Sequence, residues 1–306
     1  MGAKGRMYGS DHAKLNITLP PQTMWMNMGY WKNTEDFPSA CRALLEEVLK
    51  TAQLMNNDSV SNSQSTFSVV DLGFGCGDQT LYFEDVLRMQ KDNGDSAQFS
   101  RRLNAYVGIT LDAQQFRIAQ SRLRSDSYVK IHCGDASKVD AWSEELREDL
   151  RSACQTNRKE GHENWLLALD TLYHFKPAKW PVIEYAKRDL DASFMAYDLC
   201  IADNLSLWHR LIIRFMAFLG HSPFINWVTV EEYRERLVEI GYAREKIEIR
   251  DISEHVFRPL ARFMRRRESA LEFYGISIGR FRHGIAMFDW WGRSQFVKGC
   301  IIVARK

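Results

Sequence analysis

The stretch Ser68-Val69-Val70-Asp71-Leu72-Gly73-Phe74-Gly75-Cys76-Gly77-Asp78 combines an apolar run, one acid and three glycines at alternate positions. It reads as a buried parallel strand running into a turn whose backbone comes close to a ligand, because glycine admits positive φ and carries no Cβ. Gln79 to Leu87 look helical, so a helix N-terminus with free N–H groups and a positive dipole end would face a ligand carboxylate or phosphate. The spacing is G-x-G-x-G rather than the G-x-G-x-x-G of dinucleotide sites, which disfavours nicotinamide cofactors. No lysine follows as in a phosphate-cradling loop, which disfavours nucleotide hydrolysis. The other candidate is His174, in Asp170-Thr171-Leu172-Tyr173-His174-Phe175, whose unperturbed pKa suits a general base; Tyr173 is the next candidate. A purely structural turn and a structural histidine are the alternatives.

The elements that position these residues alternate. A helix is expected from about Pro38 to Leu54, after the aromatic cluster Met24 to Trp31, and Asn56 to Thr66 reads as a polar loop. After the glycine strand and its helix come a charged linker (Met89 to Arg102), strand two (Leu103 to Ile109) and a helix (Asp112 to Leu123) with Asp112 as N-cap. Strand three (Tyr128 to Cys133), a charged helix (Trp142 to Asn157) and strand four (Trp165 to Leu169) follow. Phe194 to Ile201 is strand five, Val230 to Ile240 a helix, Lys246 to Ile252 strand six and Cys300 to Val303 the last strand. This order predicts an α/β fold, a Rossmann-like doubly wound seven-stranded mostly parallel sheet, with helical cap insertions after strands five and six. Ligands of such sheets bind at the carboxyl ends of the strands, where Asp71, Thr110, Asp135 and Asp170 fall. The expected division is 1–66 (lid and first helix), 67–204 (core), 205–228 (cap insertion) and 229–306 (remaining sheet, with a second insertion at about 257–296), all in one compact domain.

Composition narrows the partners. The 306 residues, 45% of them hydrophobic, suffice for a real core, and a net charge of +2 gives no electrostatic case for nucleic acid. Six scattered cysteines lack any C-x-x-C or metal spacing, so reduced thiols, no metal and a cytosolic setting are expected. The polar Met1 to Leu19 segment is unlike a secretion signal, and no run approaches the roughly 18 apolar residues of a membrane span. Nine tryptophans and seventeen phenylalanines invite an apolar substrate pocket.

The D-x-G-x-G-x-G stretch resembles the first motif of class I S-adenosylmethionine-dependent methyltransferases. Gly108-Ile109-Thr110-Leu111 with Gln115, the Gly29-Tyr30-Trp31 segment and the Lys298 to Lys306 ending resemble the tocopherol methyltransferase, cyclopropane fatty acid synthase and coclaurine N-methyltransferase group, over roughly residues 24 to 306. The resemblance implies S-adenosylmethionine as cofactor and S-adenosylhomocysteine as product. Gly73, Gly75 and Gly77 would line its methionine part, with Asp71 and Gln79 also among the cofactor-binding residues. Thr110, Leu111 and Gln115 would replace the acid that usually holds the ribose, Asp135 with Ala136 would hold the adenine edge, and Leu169 would lie beside the sulfonium. Asn27 aligns with a cofactor contact, and Tyr30 or Trp31 would face the cation as part of a lid, unless that cluster simply staples the first helix. Two departures stand out. Tyr173 occupies the place of the glutamate that helps cyclopropane enzymes hold bicarbonate, so ring formation is not expected. Arg188-Asp189-Leu190-Asp191 replaces a common Pro-Gly-Gly turn before strand five.

The leading expectation is methyl transfer to a small apolar or amphipathic acceptor, a natural product or lipid-like metabolite. A lipid or sterol methyltransferase working at a membrane surface, and an inactive regulatory subunit of the same fold, are the alternatives. Apolar segments Leu205 to Phe224 and Arg258 to Trp291 would form a lid, and Arg210, Arg214, Arg262, Arg265, Arg266 and Arg267 would permit peripheral membrane contact or form a solvated basic face. The acceptor atom and the oligomeric state are not legible.

Overall fold

Continuous apolar runs form strands β1 (Thr66–Leu72), β2 (Arg102–Thr110), β3 (Val129–Cys133), β4 (His162–Leu169), β5 (Ala192–Ile201), β6 (Ile247–Asp251) and β7 (Val297–Ala304). The computed structural model describes residues 18–55, 65–93, 99–124, 128–155, 161–203, 205–279 and 281–306. The polar start of the chain, most of the expected loop at 56–66 and the middle of the 89–102 linker lie outside the described residues. The strands hydrogen-bond in the order β3-β2-β1-β4-β5-β7-β6. The first five are mutually parallel, and β7 inserts antiparallel between β5 and β6. This is the Rossmann-like sheet the alternation predicts.

Helices cover both faces, and this is why the central strands are apolar throughout rather than alternating. Side chains alternate across the sheet. Val69, Trp165, Leu167 and Tyr197 join one core with α1 (Phe37–Thr51), α2 (Asp78–Asn93), α8 (Phe257–Phe273) and α9 (Phe281–Ser294). Val70, Leu166, Ala168 and Phe194 join the other with α4 (Glu144–Gln155), α5 (Trp180–Arg188) and α7 (Val230–Ile240). Local signals set the boundaries where they exist. Asp112 caps α3 (Ala113–Arg122) by accepting from the Gln114 and Gln115 N–H groups at 2.8 Å, and Thr229 with Glu232 forms a capping box on α7.

The structure departs from the sequence reading in two places. Helix α2 runs on to Asn93, into the expected linker. Helix α5 was not anticipated; it buries Val182, Ile183 and Ala186, and no side chain caps its start. Between β6 and β7, the aromatic segment from Phe281 is regular helix packed along α8. Between β5 and α7 stands α6 (Leu207–Leu219), capped by Ser206. At the start of α5 an ion pair with β5 is sealed in the core: Lys179 Nζ donates to Asp198 at 2.6 Å and to the Asn226 carbonyl at 2.9 Å, with both charged side chains inaccessible to solvent.

Candidate active site

The glycine turn is held from below. The Asp71 carboxylate, fully buried, accepts from Gln79 Nε2 at 2.6 and 2.5 Å and from the Tyr106 hydroxyl at 2.5 Å. Burial pushes its pKa up to about 6, against the pull of the Tyr106 and Gln79 hydrogen bonds. Asp71 therefore ties the start of α2 to the strand rather than reaching outward. Gly73 has φ +77°, and its N–H donates to the Ile109 carbonyl at 2.7 Å. A Cβ there would stand 2.5 Å from Thr171 Oγ1, so only glycine lets the ends of β1 and β4 approach this closely. Asp78 pairs with both Arg122 guanidinium ends at 2.8 Å and accepts the Met24 N–H at 3.0 Å. Arg122 also donates to the Cys76 and Gln22 carbonyls, fastening residues 22–24 against the turn.

Above the turn lies a cavity of about 770 Å³ at the carboxyl ends of β1 to β4, within the range of small-molecule sites. Its floor holds Gly73, Gly75 and Gln79; one side holds Thr110, Leu111 and Gln115, and another Asp135, Ala136 and Leu169. Asn27, Tyr173 and His174 complete the wall. Thr110 Oγ1 and Gln115 Oε1 are 3.4 Å apart. Burial pushes the Asp135 carboxyl up, but hydrogen bonds from the Ser137 hydroxyl (2.6 Å) and N–H (3.0 Å) and the Lys138 ammonium outweigh it and hold the pKa below the usual value. Asn27 is occupied structurally, donating to the Cys41 carbonyl and accepting from the Gly29 N–H.

Three expected site residues are not brought to the cavity. Asp71 is beneath it, as described. Gly77, φ +93°, instead gives room to α3, since a Cβ there would lie 2.8 Å from Ala119 Cβ. Tyr30 is buried edge-on against His255, with ring centroids 5.1 Å apart, and Trp31 packs on Phe37 and Phe263. The Tyr30-Trp31 pair thus acts as the staple of α1, while the neighbouring Met24, Trp25 and Met26 line the cavity.

Further polar groups also reach the wall, among them Asp170, expected at a strand end but given no specific role, and His221, Lys138 and Lys176. Asp170 adopts φ +62°; its carboxylate accepts the Met28 N–H at 2.7 Å and the Tyr173 hydroxyl at 2.8 Å. Burial raises its pKa to about 7. The signal was present, an acid directly after an apolar strand, but nothing in the sequence tells which way the turn aims it. His174 follows in a 3₁₀ turn (Leu172–His174) and is exposed to solvent, while desolvation by its surroundings lowers its pKa below the ordinary imidazole value. Tyr173 is buried, and desolvation raises its pKa well above that of free tyrosine, so its hydroxyl stays protonated as donor to Asp170.

Solved structures of similar shape share this arrangement of strands. The cyclopropane synthase MmaA2 from Mycobacterium tuberculosis is 13% identical over 98% of this chain and 95% of its own, with a TM-score of 0.59. The chain has the fold of the class I S-adenosylmethionine-dependent methyltransferases. The [4+2]-cyclase SpnF (16% identity, 99% of this chain and 95% of that one, TM-score 0.55) has it as well. So does geranyl diphosphate C-methyltransferase from Streptomyces coelicolor A3(2), solved with Mg2+, geranyl diphosphate and S-adenosyl-L-homocysteine (14% identity, 87% of this chain and 80% of that one, TM-score 0.52). No family model matches the sequence, and no curated protein matches it.

Proposed function

We propose that this chain is an S-adenosylmethionine-dependent methyltransferase acting on a small apolar or amphipathic acceptor. The observation that carries the reading is the convergence on one cavity of the Gly73–Gly75 turn, the Thr110–Gln115 pair and the Asp135–Ala136 wall, each from the end of a different adjacent strand. These residues fit the cofactor: a glycine floor without side chains admits close approach, Gln115 and Thr110 offer polar atoms for a diol, and Asp135 retains acceptor capacity for an exocyclic amine. Bound there, S-adenosylmethionine would supply an activated methyl group on a sulfonium centre.

The protein's part is orientation, since a pre-activated methyl group needs chiefly an acceptor held in line. Leu169, Tyr173 and Trp25 give the acceptor side an apolar wall that sheds water. Where the acceptor must lose a proton, His174 takes it at its imidazole nitrogen. Its lowered pKa keeps that nitrogen unprotonated at neutral pH. Asp170 and Tyr173 form a hydrogen-bonded pair that fixes the turn and presents a carboxylate to a polar or cationic acceptor group. The test is incubation with methyl-labelled S-adenosylmethionine and a fractionated metabolite extract, followed by identification of the labelled product. Label in an organic-soluble small molecule supports the reading. Cofactor binding without label transfer to any fraction, polar or apolar, would refute it.

A further inference from the structure

Helix α6 turns its apolar side away from the protein. Only Ile213 and Ala217 are buried, whereas Trp208 is 76% exposed, Phe218 74% and Phe215 61%. Leu207, Leu211, Ile212 and Leu219 are exposed with them. At 100° per residue these seven side chains fill one arc of about 140° on the helix surface. Hydrophobic patches this concentrated on a soluble domain mark an interaction surface.

The charges beside the arc say which kind. Arg210 and Arg214 lie along one edge of it, both exposed, and among the described residues no carboxylate pairs with either. Between residues 204 and 230 the chain has no aspartate or glutamate at all. The other arginines that the sequence offered as a basic face are partly neutralised within the protein, Arg265 by Asp289 and Arg266 by Glu35. A second copy docked two-fold on α6 would bring its own Arg210 and Arg214 to the same acid-free patch. An apolar arc edged by arginines that no described carboxylate neutralises is instead complementary to an anionic lipid surface, with the aromatic side chains in the acyl boundary and the guanidinium groups at the headgroups.

The helix also ends at the cavity. His221 lies in its wall, the Ser222 hydroxyl donates to the Tyr173 carbonyl, Trp227 Nε1 donates to Ser222 at 2.7 Å, and Asn226 Nδ2 donates to the Phe175 carbonyl at 2.8 Å. We propose that α6 seats this protein on membranes rich in anionic lipid, and that the active-site mouth thereby opens at the bilayer surface. The proposal does not depend on the chemistry performed in the cavity.

Co-sedimentation of the full chain with phosphatidylcholine vesicles, with and without phosphatidylserine, tests it. Sedimentation with the phosphatidylserine vesicles, weakened by high salt, is expected. Phe215→Ser/Phe218→Ser should lower the partition on the order of tenfold or more, and Arg210→Gln/Arg214→Gln on the order of tenfold, on the anionic vesicles only. All four side chains are exposed, so the fold should persist, with circular dichroism as the check. A protein left in the supernatant at low salt, or α6 variants that sediment with the anionic vesicles as well as the wild type does, overturns the proposal. A dimer in analytical ultracentrifugation that the same variants dissociate overturns it in favour of a second copy as the occupant.

Discussion

Substituting Gly73→Ala tests whether the ends of β1 and β4 meet as closely as the cavity requires. The backbone at Gly73 has φ +77°, which costs a residue with a Cβ about 1–2 kcal/mol. The new methyl carbon would also lie 2.5 Å from Thr171 Oγ1 and 3.1 Å from Thr171 Cγ2, an overlap of the kind that costs about 1–3 kcal/mol in packed interiors. The single variant should therefore lose about 2–5 kcal/mol of stability. Thr171→Ala removes both of those contacts but leaves the backbone strain and the 3.0 Å approach to the Cβ of residue 171, so the double variant should recover about 1–2 kcal/mol relative to the sum of the singles. Denaturant titration of the four proteins measures the cycle, provided that the slope with denaturant is unchanged. A coupling below about 0.5 kcal/mol would show that the two strand ends do not touch, and the derived geometry of the site would fail with it.

Other expectations follow from the buried charges and the turn. Lys179→Met should cost about 3–5 kcal/mol by stranding Asp198, and adding Asp198→Leu should restore at least half; denaturation midpoints report both. Asp71 carries a folded pKa of about 6 against an unfolded value near 3.8, so the folded protein holds the extra proton between them and stability falls as pH rises through that window. The contribution is at most about 3 kcal/mol, and wild type should lose stability relative to Asp71→Asn between about pH 4 and pH 6 in parallel denaturations. His174→Ala should lower turnover by about a hundredfold or more while leaving S-adenosylmethionine affinity within about twofold, and should remove the acid limb of the rate profile. Equal turnover in variant and wild type would reduce His174 to a structural residue.

The sheet was legible because its inner strands are buried on both faces and so read as unbroken apolar runs. Helix α7 was legible to its boundaries because Thr229 and Glu232 cap one end and Gly241, φ +110°, closes the other. Helix α5 carries no capping side chain and begins at Trp180-Pro181; its stability comes from burying Val182, Ile183 and Ala186 against the sheet, which only the tertiary structure reveals. The site divides the same way. The strand-end argument brought Asp71, Thr110, Asp135 and Asp170 to the ligand side, and the glycine motif and the family resemblance added Gly73 and Leu169, but none of these gave side-chain direction. Asp71 turns under the glycine loop toward Gln79 and Tyr106, whereas Asp170 reaches the cavity wall from a left-handed backbone. Tyr30 sits in the core for a related reason. Its N–H is committed to the Ala40 carbonyl at 2.8 Å, which fixes the segment against α1.

Calorimetric titration of S-adenosylmethionine into the wild-type chain and into Gly75→Val addresses the central claim most directly. Gly75 lies in the cavity floor with φ +63°, and a Cβ there would already stand 3.1 Å from Met26 Sδ, so a branched side chain must both strain the turn and fill the floor. Saturable one-site binding to the wild type, lost in a folded Gly75→Val variant, is the expected result. No detectable binding to the wild type, or equal affinity in both proteins, would contradict the assignment of this cavity to the cofactor.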